Sequence, residues 1–240
     1  MNRTIVISDI HGCLDAFDQL LDTVSFNSTH DQLILLGDYV DRGPNSKNVV
    51  ERVMELVEGH HAIALRGNHD QRLVDLVRNG NPSIQSKFLE HGGIQTLMSY
   101  CGWVKDEVTD EILLQATSGI TATHKHHIDF LSELPLYHED DHHIYVHAGI
   151  NPQYANWKEQ SDHDFMYIKD DFLHLSTRVE KKVIFGHTRT IELHGSSDIW
   201  FGGDKIGIDG GCAYGEQLNA LILQQGVYST ACSKNSILQS

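Results

Sequence analysis

Short runs of β-branched and apolar residues alternate with longer segments whose apolar residues recur at helical spacing. Residues 3–8, 32–36 and 61–65 are of the first kind. Residues 13–24, a stretch from Ser46 to Gly59 and residues around 70–78 are of the second kind, and Ser46 is the expected N-cap. This alternation predicts βαβ units around a largely parallel sheet that is buried on both faces. The expected fold class is therefore α/β.

The alternation stops between residues 79 and 138, where the apolar pattern is helical and Gly92-Gly93 mark a hinge. We expect this segment to be a helical cap inserted over the sheet edge. Strands are predicted again at 143–147, 182–186, 205–209 and 217–223, with loops and short helices over 151–178. The polar stretch from Ser229 is expected to fray at its last residues. Residues 1–240 are predicted to form a single domain.

The predicted strands of the first half each end in polar side chains next to glycine. The clusters read Asp9-Ile10-His11-Gly12, Gly37-Asp38-Tyr39-Val40-Asp41-Arg42-Gly43 and Gly67-Asn68-His69-Asp70. Two later strands end at His147-Ala148-Gly149 and Gly186-His187-Thr188. Ligands bind outside the carboxyl ends of strands in open α/β sheets, so we expect the clusters to converge. One cluster alone could be a turn, but five in a consistent order predict a site.

The residue types in these clusters are those of a transition-metal site. Carboxylate oxygen, amide oxygen and imidazole nitrogen together suit Mn²⁺, Fe or Zn²⁺ better than Mg²⁺ or Ca²⁺. Asp38 is placed to bridge two ions, which lie about 3.5–4 Å apart in two-metal sites and can lower the pKa of a shared water to about 7. The resulting hydroxide attacks phosphorus in line, without a covalent enzyme intermediate. The sequence therefore predicts two-metal phosphoester hydrolysis.

Charge and composition exclude several classes of partner. There are 33 acidic against 18 basic residues, a formal charge of −15, and so acidic a surface repels nucleic acid. The four cysteines form no CxxC pair. The chain enters an apolar strand directly after Met-Asn-Arg, and no apolar run reaches the ~18 residues of a membrane span. We expect a cytoplasmic protein that binds neither membranes nor nucleic acid; its oligomeric state stays open.

Taken together, the five motifs resemble those of the phosphoprotein phosphatase family within the calcineurin-like metallophosphoesterases, from residue 8 to about 211. The resemblance implies two packed mixed β-sheets flanked by helices. It also implies one ion held by Asp9, His11 and Asp38, and a second held by Asp38, Asn68, His147 and His187, most simply two Mn²⁺ ions. His69 would be the general acid, Asp41 would orient it, and Arg42 would bind the phosphoryl oxygens.

One position departs from this resemblance. Short bacterial members of the family carry an arginine in a Trp-x-Arg stretch, where this chain reads Tyr167-Ile168-Lys169. Lysine keeps the positive charge but loses the bidentate geometry of a guanidinium, so Lys169 is the expected phosphate ligand there. Arg178 and Arg189 are the alternatives.

Three functions follow from these residues. The first is phosphomonoester hydrolysis, with phosphoserine and phosphothreonine proteins as the substrates that the resemblance implies. The alternative is dinucleoside polyphosphate hydrolysis, because residues 147–153 resemble a stretch of the symmetrical dinucleoside tetraphosphatases. Such an enzyme needs aromatic platforms beside the metals, and the sequence locates none. A scaffold without turnover is disfavoured, since Asp38, His69 and Asp41 are all present.

Overall fold

The computed structural model describes residues 3–102 and 108–234. Its strands are β1 (Arg3–Ile7), β2 (Asp31–Leu35), β3 (Ile63–Ala64), β4 (Tyr137–Glu139), β5 (His143–Val146), β6 (Lys182–Phe185), β7 (Trp200–Phe201), β8 (Lys205–Gly207), β9 (Gln217–Gln224) and β10 (Val227–Lys234). Its α-helices are α1 (Leu14–Thr23), α2 (Ser46–His60), α3 (Asn68–Asn79), α4 (Pro82–Glu90), α5 (Gly93–Cys101), α6 (Asp110–Thr123), α7 (Lys125–Glu133), α8 (Asp162–Tyr167), α9 (Asp170–His174) and α10 (Thr190–His194). Short 3-10 turns lie at Trp157–Glu159 and Cys212–Tyr214.

The strands form two five-stranded mixed sheets. The first has the order β10-β9-β1-β2-β3, and the second has the order β4-β5-β6-β8-β7. In the first sheet β1, β2 and β3 are parallel, while β9 and β10 continue it antiparallel. In the second sheet β5, β6 and β8 are parallel, and the edge strands β4 and β7 are antiparallel. The predicted pair of mixed sheets flanked by helices is confirmed.

Successive side chains of a strand enter different cores, as the two-residue period of a strand requires. Val6 packs between the sheets, in the same cluster as Ile184 of the second sheet. Ile7 enters a larger core with Phe17 of α1 and Val50 of α2. The short helices α8 and α9 cover the second sheet from its other side. Each fully buried side chain of this size contributes about 1.5–3 kcal/mol.

The segment predicted to be a helical cap contains α4 to α7, which pack with α2 and α3 as part of the larger core. The helical prediction is wrong at its end, because Tyr137–Glu139 form the edge strand β4. The predicted loops and short helices of 151–178 agree with the structure, which has a 3-10 turn, α8 and α9 there. Among the described helices, none is long and apolar enough to cross a membrane.

Candidate metal centre and phosphate site

The predicted ligands meet where the carboxyl ends of the parallel strands of the two sheets come together. Within the first sheet, the amide of Asp9 donates to Gly37 O at 3.2 Å and that of His11 donates to Asp38 O at 2.9 Å. Between the sheets, the amide of His187 donates to the carboxylate of Asp9 at 3.0 Å. The clusters after β1, β2, β3, β5 and β6 therefore converge on one site.

Backbone strain is concentrated at this site. Of the ten non-glycine residues with positive φ in the described ranges, six belong to the predicted site: Asp9, His11, Asp38, Asp41, Arg42 and His187. Their φ angles lie between 45° and 73°. Such a conformation costs on the order of 1–3 kcal/mol per residue and persists where the surrounding structure imposes it. The strands thus end in turns that aim these side chains inward.

Two neighbouring glycines are required by close approach. A Cβ on Gly67 would collide with the carboxylate and the backbone nitrogen of Asp38. A Cβ on Gly186 would collide with Ser8 and with the carboxylate of Asp9. These positions therefore exclude any side chain, and the glycines before Asn68 and His187 bring the strand ends into contact.

Four predicted ligands present lone pairs to one another. The Nδ1 of His147 donates to Leu36 O at 3.0 Å, so the Nε2 of a neutral His147 carries a lone pair. That Nε2 lies 3.5 Å from Asp38 Oδ1 and 2.9 Å from the side-chain oxygen of Asn68. The same Asn68 atom lies 2.9 Å from the Nδ1 of His187. A divalent cation among these atoms would satisfy every one of them, so the donor set fits the second metal.

Asn68 can also satisfy these contacts by a half-turn of its amide. Its NH₂ would then donate to His147 and His187, and its oxygen would accept from Arg72 at 3.1 Å. Only the oxygen can ligate a cation, so ion binding selects the orientation with the oxygen facing the imidazoles. The NH₂ then faces Arg72, donor against donor, which favours movement of that guanidinium away from Asn68.

The first metal set is arranged in the same way. The Nδ1 of His11 contacts Val40 O at 2.7 Å, which leaves Nε2 directed at the site, 3.5 Å from Asp38 Oδ2 and 3.9 Å from Asp9 Oδ1. Burial, with Arg42 nearby, lowers the pKa of His11 to about 3, so the imidazole is in the neutral form that ligates metals. A guanidinium nitrogen of Arg42 contacts this Nε2.

Asp38 lies between the two sets and is almost fully buried. Burial by itself would raise the pKa of its carboxyl, but the imidazoles of His147, His69 and His11 outweigh burial and hold that pKa well below its usual value. One oxygen faces His11 and the other faces His147. An ionised carboxylate with an oxygen for each set has the geometry that bridging two ions requires.

The predicted acid is held by a chain of buried hydrogen bonds. The Nδ1 of His69 lies 2.7 Å from Asp41 Oδ2. Thr96 of α5 donates to the other carboxylate oxygen at 2.7 Å and accepts from the amide of Asp41 at 2.8 Å. The Nε2 of His69 therefore accepts hydrogen bonds, from Arg42 at 2.8 Å and from Arg72 at 3.1 Å. Burial lowers the pKa of His69 well below its usual value, which matches this acceptor role.

A cavity of about 210 Å³ opens onto these residues and carries four cationic side chains in its lining: Arg42, Arg72, Lys169 and Arg189. Lys169 therefore lines the cavity, and its role as a phosphate ligand stays a prediction. Arg189 lies there as well, although Glu192 pairs with it at 2.8 Å. Arg178 is exposed and does not line the cavity. The ring of Tyr214 lies 5.1 Å from the guanidinium of Arg42 and 4.3 Å from that of Arg189, and so supports both.

A comparison with models of protein families matches residues 2–204 to the calcineurin-like phosphoesterases. The chain belongs to the calcineurin-like phosphoesterase family. This family uses a binuclear divalent metal centre, and the sets His11, Asp38, His69 and Asp38, His147, His187, buried except for the half-buried His187, each bring their ligand atoms within 4.8 Å of one another.

Curated relatives of this phosphoesterase are named as tetraphosphatases. A symmetrical bis(5'-nucleosyl)-tetraphosphatase of Nitrosomonas europaea is 32% identical over 154 residues, which is 64% of this chain and 46% of the relative. The chain thus spans about half the length of such relatives. An asymmetrical bis(5'-nucleosyl)-tetraphosphatase, PrpE of Oceanobacillus iheyensis, is 24% identical and is covered over 93% of its length by 97% of this chain.

Solved structures support the fold. A protein assigned provisionally as a diadenosine tetraphosphatase superposes with a TM-score of 0.65 at 24% identity, over 98% of this chain and 95% of that one. A cold-active protein-tyrosine phosphatase of a Shewanella species superposes with a TM-score of 0.59 at 15% identity, over 98% and 81% of the two chains. The names of the curated relatives support dinucleoside polyphosphate hydrolysis, the alternative predicted from the sequence, better than they support the activity of a serine/threonine phosphatase.

Two site residues of this phosphoesterase were absent from the sequence-based set. Arg72 lies four residues after Asn68 on α3, so both project from one face of the helix. Asp209 lies two residues after the end of β8, in the strand-end position that the other site residues share, and it is buried in the cavity wall. Burial raises the pKa of Asp209 well above its usual value. The spacing from Asn68 and the strand-end position were the signals that could have found them.

Proposed function

We propose that this protein hydrolyses dinucleoside polyphosphates. The observation that carries the proposal is the set of four cationic side chains around one small cavity, in a chain with a formal charge of −15. A polyphosphate bridge has a negative charge on every phosphate, whereas a phosphomonoester offers a single phosphoryl group. Two arginines beside His69, with Lys169 and Arg189 at the rim, match the longer anion. The names of the relatives agree with this reading.

In this proposal Asp9, His11 and Asp38 hold one divalent ion, and Asp38, Asn68, His147 and His187 hold the other, with Mn²⁺ as the proposed metal. When bound, the ions supply an acidified water and positive charge for the phosphoryl oxygens. The neutral imidazole of His11 and the ionised carboxylate of Asp38 are the protonation states that such binding requires.

The protein's own residues bind and orient the phosphate chain. Arg42 and Arg72 leave the Nε2 of His69 and donate to phosphoryl oxygens, for which the guanidinium fork is suited. His69 keeps the proton on Nδ1 for Asp41, and its Nε2 faces the reacting group. Once the arginines have left, Nε2 can take up the proton that the attacking water releases, and this proton then passes to the leaving oxygen where that oxygen is basic, which returns His69 to its neutral form. Lys169 and Arg189 neutralise the phosphates farther along the chain.

A substrate panel tests the proposal. With Mn²⁺, kcat/KM for diadenosine tetraphosphate should exceed that for a phosphoserine peptide and for p-nitrophenyl phosphate by about tenfold or more, a difference of about 1.4 kcal/mol. Identification of the products as ADP alone, or as ATP and AMP, assigns the cleaved bond. A higher kcat/KM for the phosphopeptide would reject the proposal in favour of a protein phosphatase.

That second candidate has one observation in its favour. The His69–Asp41 pair, held through Thr96, is suited to protonating a basic alkoxide, which is the leaving group of a phosphoserine and not of a phosphoanhydride. The phosphopeptide arm of the panel is therefore the control that separates the two functions.

A further inference from the structure

A second cavity, of about 600 Å³, adjoins the metal site. Its walls come from α3, from α4 with the residue after it, and from α8. Arg72 and His91 line both this cavity and the smaller one that carries the cationic side chains. A molecule bound to the metals can therefore extend past Arg72 into the larger space.

The distance between the two spaces is short. The ring of Tyr167, in the wall of the larger cavity, lies 6.3 Å from the ring of the predicted ligand His187. The ring of His91, which lines both cavities, lies 6.2 Å from that of His69. The guanidinium of Arg72 lies 5.5 Å from the centre of the Tyr167 ring, so the cation and the aromatic wall are held together at the junction.

The walls of the larger cavity suit a flat, uncharged ring. His163 and Tyr167 are stacked, with ring centroids 4.6 Å apart and an interplanar angle of 17°. Met166 and Ile84 add apolar surface. The side chains of Gln71 and Asp75, which share a hydrogen bond of 2.8 Å, supply donor and acceptor groups. Aromatic faces with a few polar groups are the usual partners of nucleobases and their sugars.

The balance of charged side chains differs between the two cavities, in the direction that binding a nucleotide requires. The smaller cavity has four cationic side chains against the three carboxylates of Asp38, Glu192 and Asp209, of which Asp38 is a predicted metal ligand, whereas the larger one has two cations, Arg72 and Lys87, against Asp75 and Glu90. An anionic group is thus favoured on the metal side of Arg72. A neutral group is favoured beyond it.

We propose that the cavity lined by Ile84, His163, Met166 and Tyr167 binds the nucleoside of the substrate, while Arg72 holds the phosphate next to that nucleoside. This inference rests on the proposed function, because it names the subsite for one end of a dinucleoside polyphosphate. It also supplies the aromatic platform that the sequence did not locate.

The first test fills the cavity. Ile84→Trp should lower the ratio of kcat/KM for diadenosine tetraphosphate to kcat/KM for p-nitrophenyl phosphate by about tenfold, because stacking of a base contributes about 1–3 kcal/mol. The matched control is Leu114→Trp, the same kind of change at an exposed position of α6 outside this cavity. Equal ratios in the two variants would overturn the proposal. His163→Ala, at an exposed position, repeats the test without adding bulk and should also lower the ratio.

The second test separates this proposal from the proposed function. Calorimetric titration of the Mn²⁺-loaded protein should give a Kd for AMP about tenfold lower than that for inorganic phosphate. Ile84→Trp should remove most of this tenfold preference for AMP over phosphate. If diadenosine tetraphosphate is not hydrolysed but AMP retains this advantage, the nucleoside subsite stands and the proposed reaction fails. Equal Kd values for AMP and phosphate, or an effect of Ile84→Trp on a phosphopeptide alone, would reject the subsite.

Discussion

At the scale of single residues, the buried chain from Thr96 through Asp41 to His69 predicts which substrates depend on proton transfer. His69→Asn should lower kcat by about 10²–10⁴-fold on an alkyl phosphate, whose alkoxide needs a proton to leave. The loss should be much smaller on p-nitrophenyl phosphate and on diadenosine tetraphosphate, whose leaving groups are stable anions. Steady-state kinetics on the three substrates measures this, with the exposed His174→Asn as control. Equal losses on all three would remove His69 from this role.

A second prediction for a single residue concerns the contribution of Lys169 to phosphate binding. Lys169→Met should raise KM by about tenfold, since one charge-assisted hydrogen bond contributes about 1.5–3 kcal/mol and solvent weakens it at an exposed position. Lys169→Arg should lower KM, or raise kcat if the guanidinium fork fits the transition state. Metal content, measured by atomic emission, should not change. Arg178→Met is the matched control, because Arg178 lies outside the cavity lining. An unchanged KM for both Lys169 variants, together with a raised KM for Arg178→Met, would contradict the prediction.

Individual site residues differ in how far the sequence could predict them. Asp9, His11 and Asp38 could be predicted because each belongs to a strand-end cluster that contains a glycine, and the structure brings them together. Arg72 was not singled out, because an arginine within a helix looks like a solvated surface charge. Only the turn of α3 beside His69 gives Arg72 its place in the site. Tyr167 was missed as an aromatic platform, because the neighbour that places it beside the site, Arg72, belongs to a distant segment of the chain.

At the scale of elements, helix α5 connects the helical segment to the site. The Thr96 hydroxyl contacts both Asp41 and Ser46, and the amide of Arg42 donates to Gly92 O at 2.9 Å, just before α5 begins. Thr96→Val leaves the buried carboxylate and amide of Asp41 without this partner. We expect a loss of about 1–3 kcal/mol in the free energy of unfolding.

The same variant should lower kcat more on alkyl phosphates than on p-nitrophenyl phosphate, because Asp41 no longer orients His69. Thr96→Ser keeps the hydroxyl and should restore both stability and the substrate pattern. Urea denaturation and kinetics on the two substrates measure the two effects. Loss of stability without any change in the substrate pattern would mean that α5 supports the fold and not the catalytic pair.

The elements that sequence patterns missed are edge strands. β4 has only partly buried residues, and β10 shows a mostly exposed, polar pattern. The stretch from Ser229 therefore looked like a tail, although its described part pairs with β9 as far as Lys234. Ser233 even donates to Ala16 O of α1 at 2.6 Å. Pairing of this kind depends on a partner strand, and the local sequence does not contain that information. The final residues expected to fray lie outside the described ranges.

At the scale of the whole molecule, the metals should join the two sheets, because their proposed ligands come from both. Removal of the ions with EDTA should therefore lower the melting temperature. A ligand at a hundred times its Kd stabilises by about 2.7 kcal/mol, and a chain of this size changes its Tm by about 2–4 °C per kcal/mol. Differential scanning fluorimetry with and without Mn²⁺ should thus show a difference of about 5–10 °C. An unchanged Tm would contradict metal binding at this junction.

The ion-free protein should also have a distinctive dependence of stability on pH. Burial, with the nearby Asp38 carboxylate, raises the pKa of Asp70 from 3.8 to about 8. A raised folded-state pKa stabilises fully below pH 3.8, and that contribution is lost as the pH rises through about 8. The buried imidazoles act in the opposite sense, since their pKa values are lowered from 6.5, but only below about pH 6.5. Burial also raises the pKa of Asp41 and of Asp209, so these carboxyls act in the same sense as Asp70, and pH 6.5 to 8 is the window in which the imidazoles do not oppose them.

In that window one proton changes the free energy of unfolding by about 1.4 kcal/mol per pH unit, so the titration of Asp70 alone should lower the Tm of the EDTA-treated protein by about 3–6 °C per unit. Asp70→Asn removes one titrating group and should reduce the slope by this amount. Mn²⁺ should also flatten it, because cations on Asp38 offset the negative charge that raises the pKa of Asp70. A Tm of the EDTA-treated protein that is constant or rises from pH 6.5 to 8 would show that Asp70 is already ionised, held by the amides of Asp38, Tyr39 and Gly67 that donate to it.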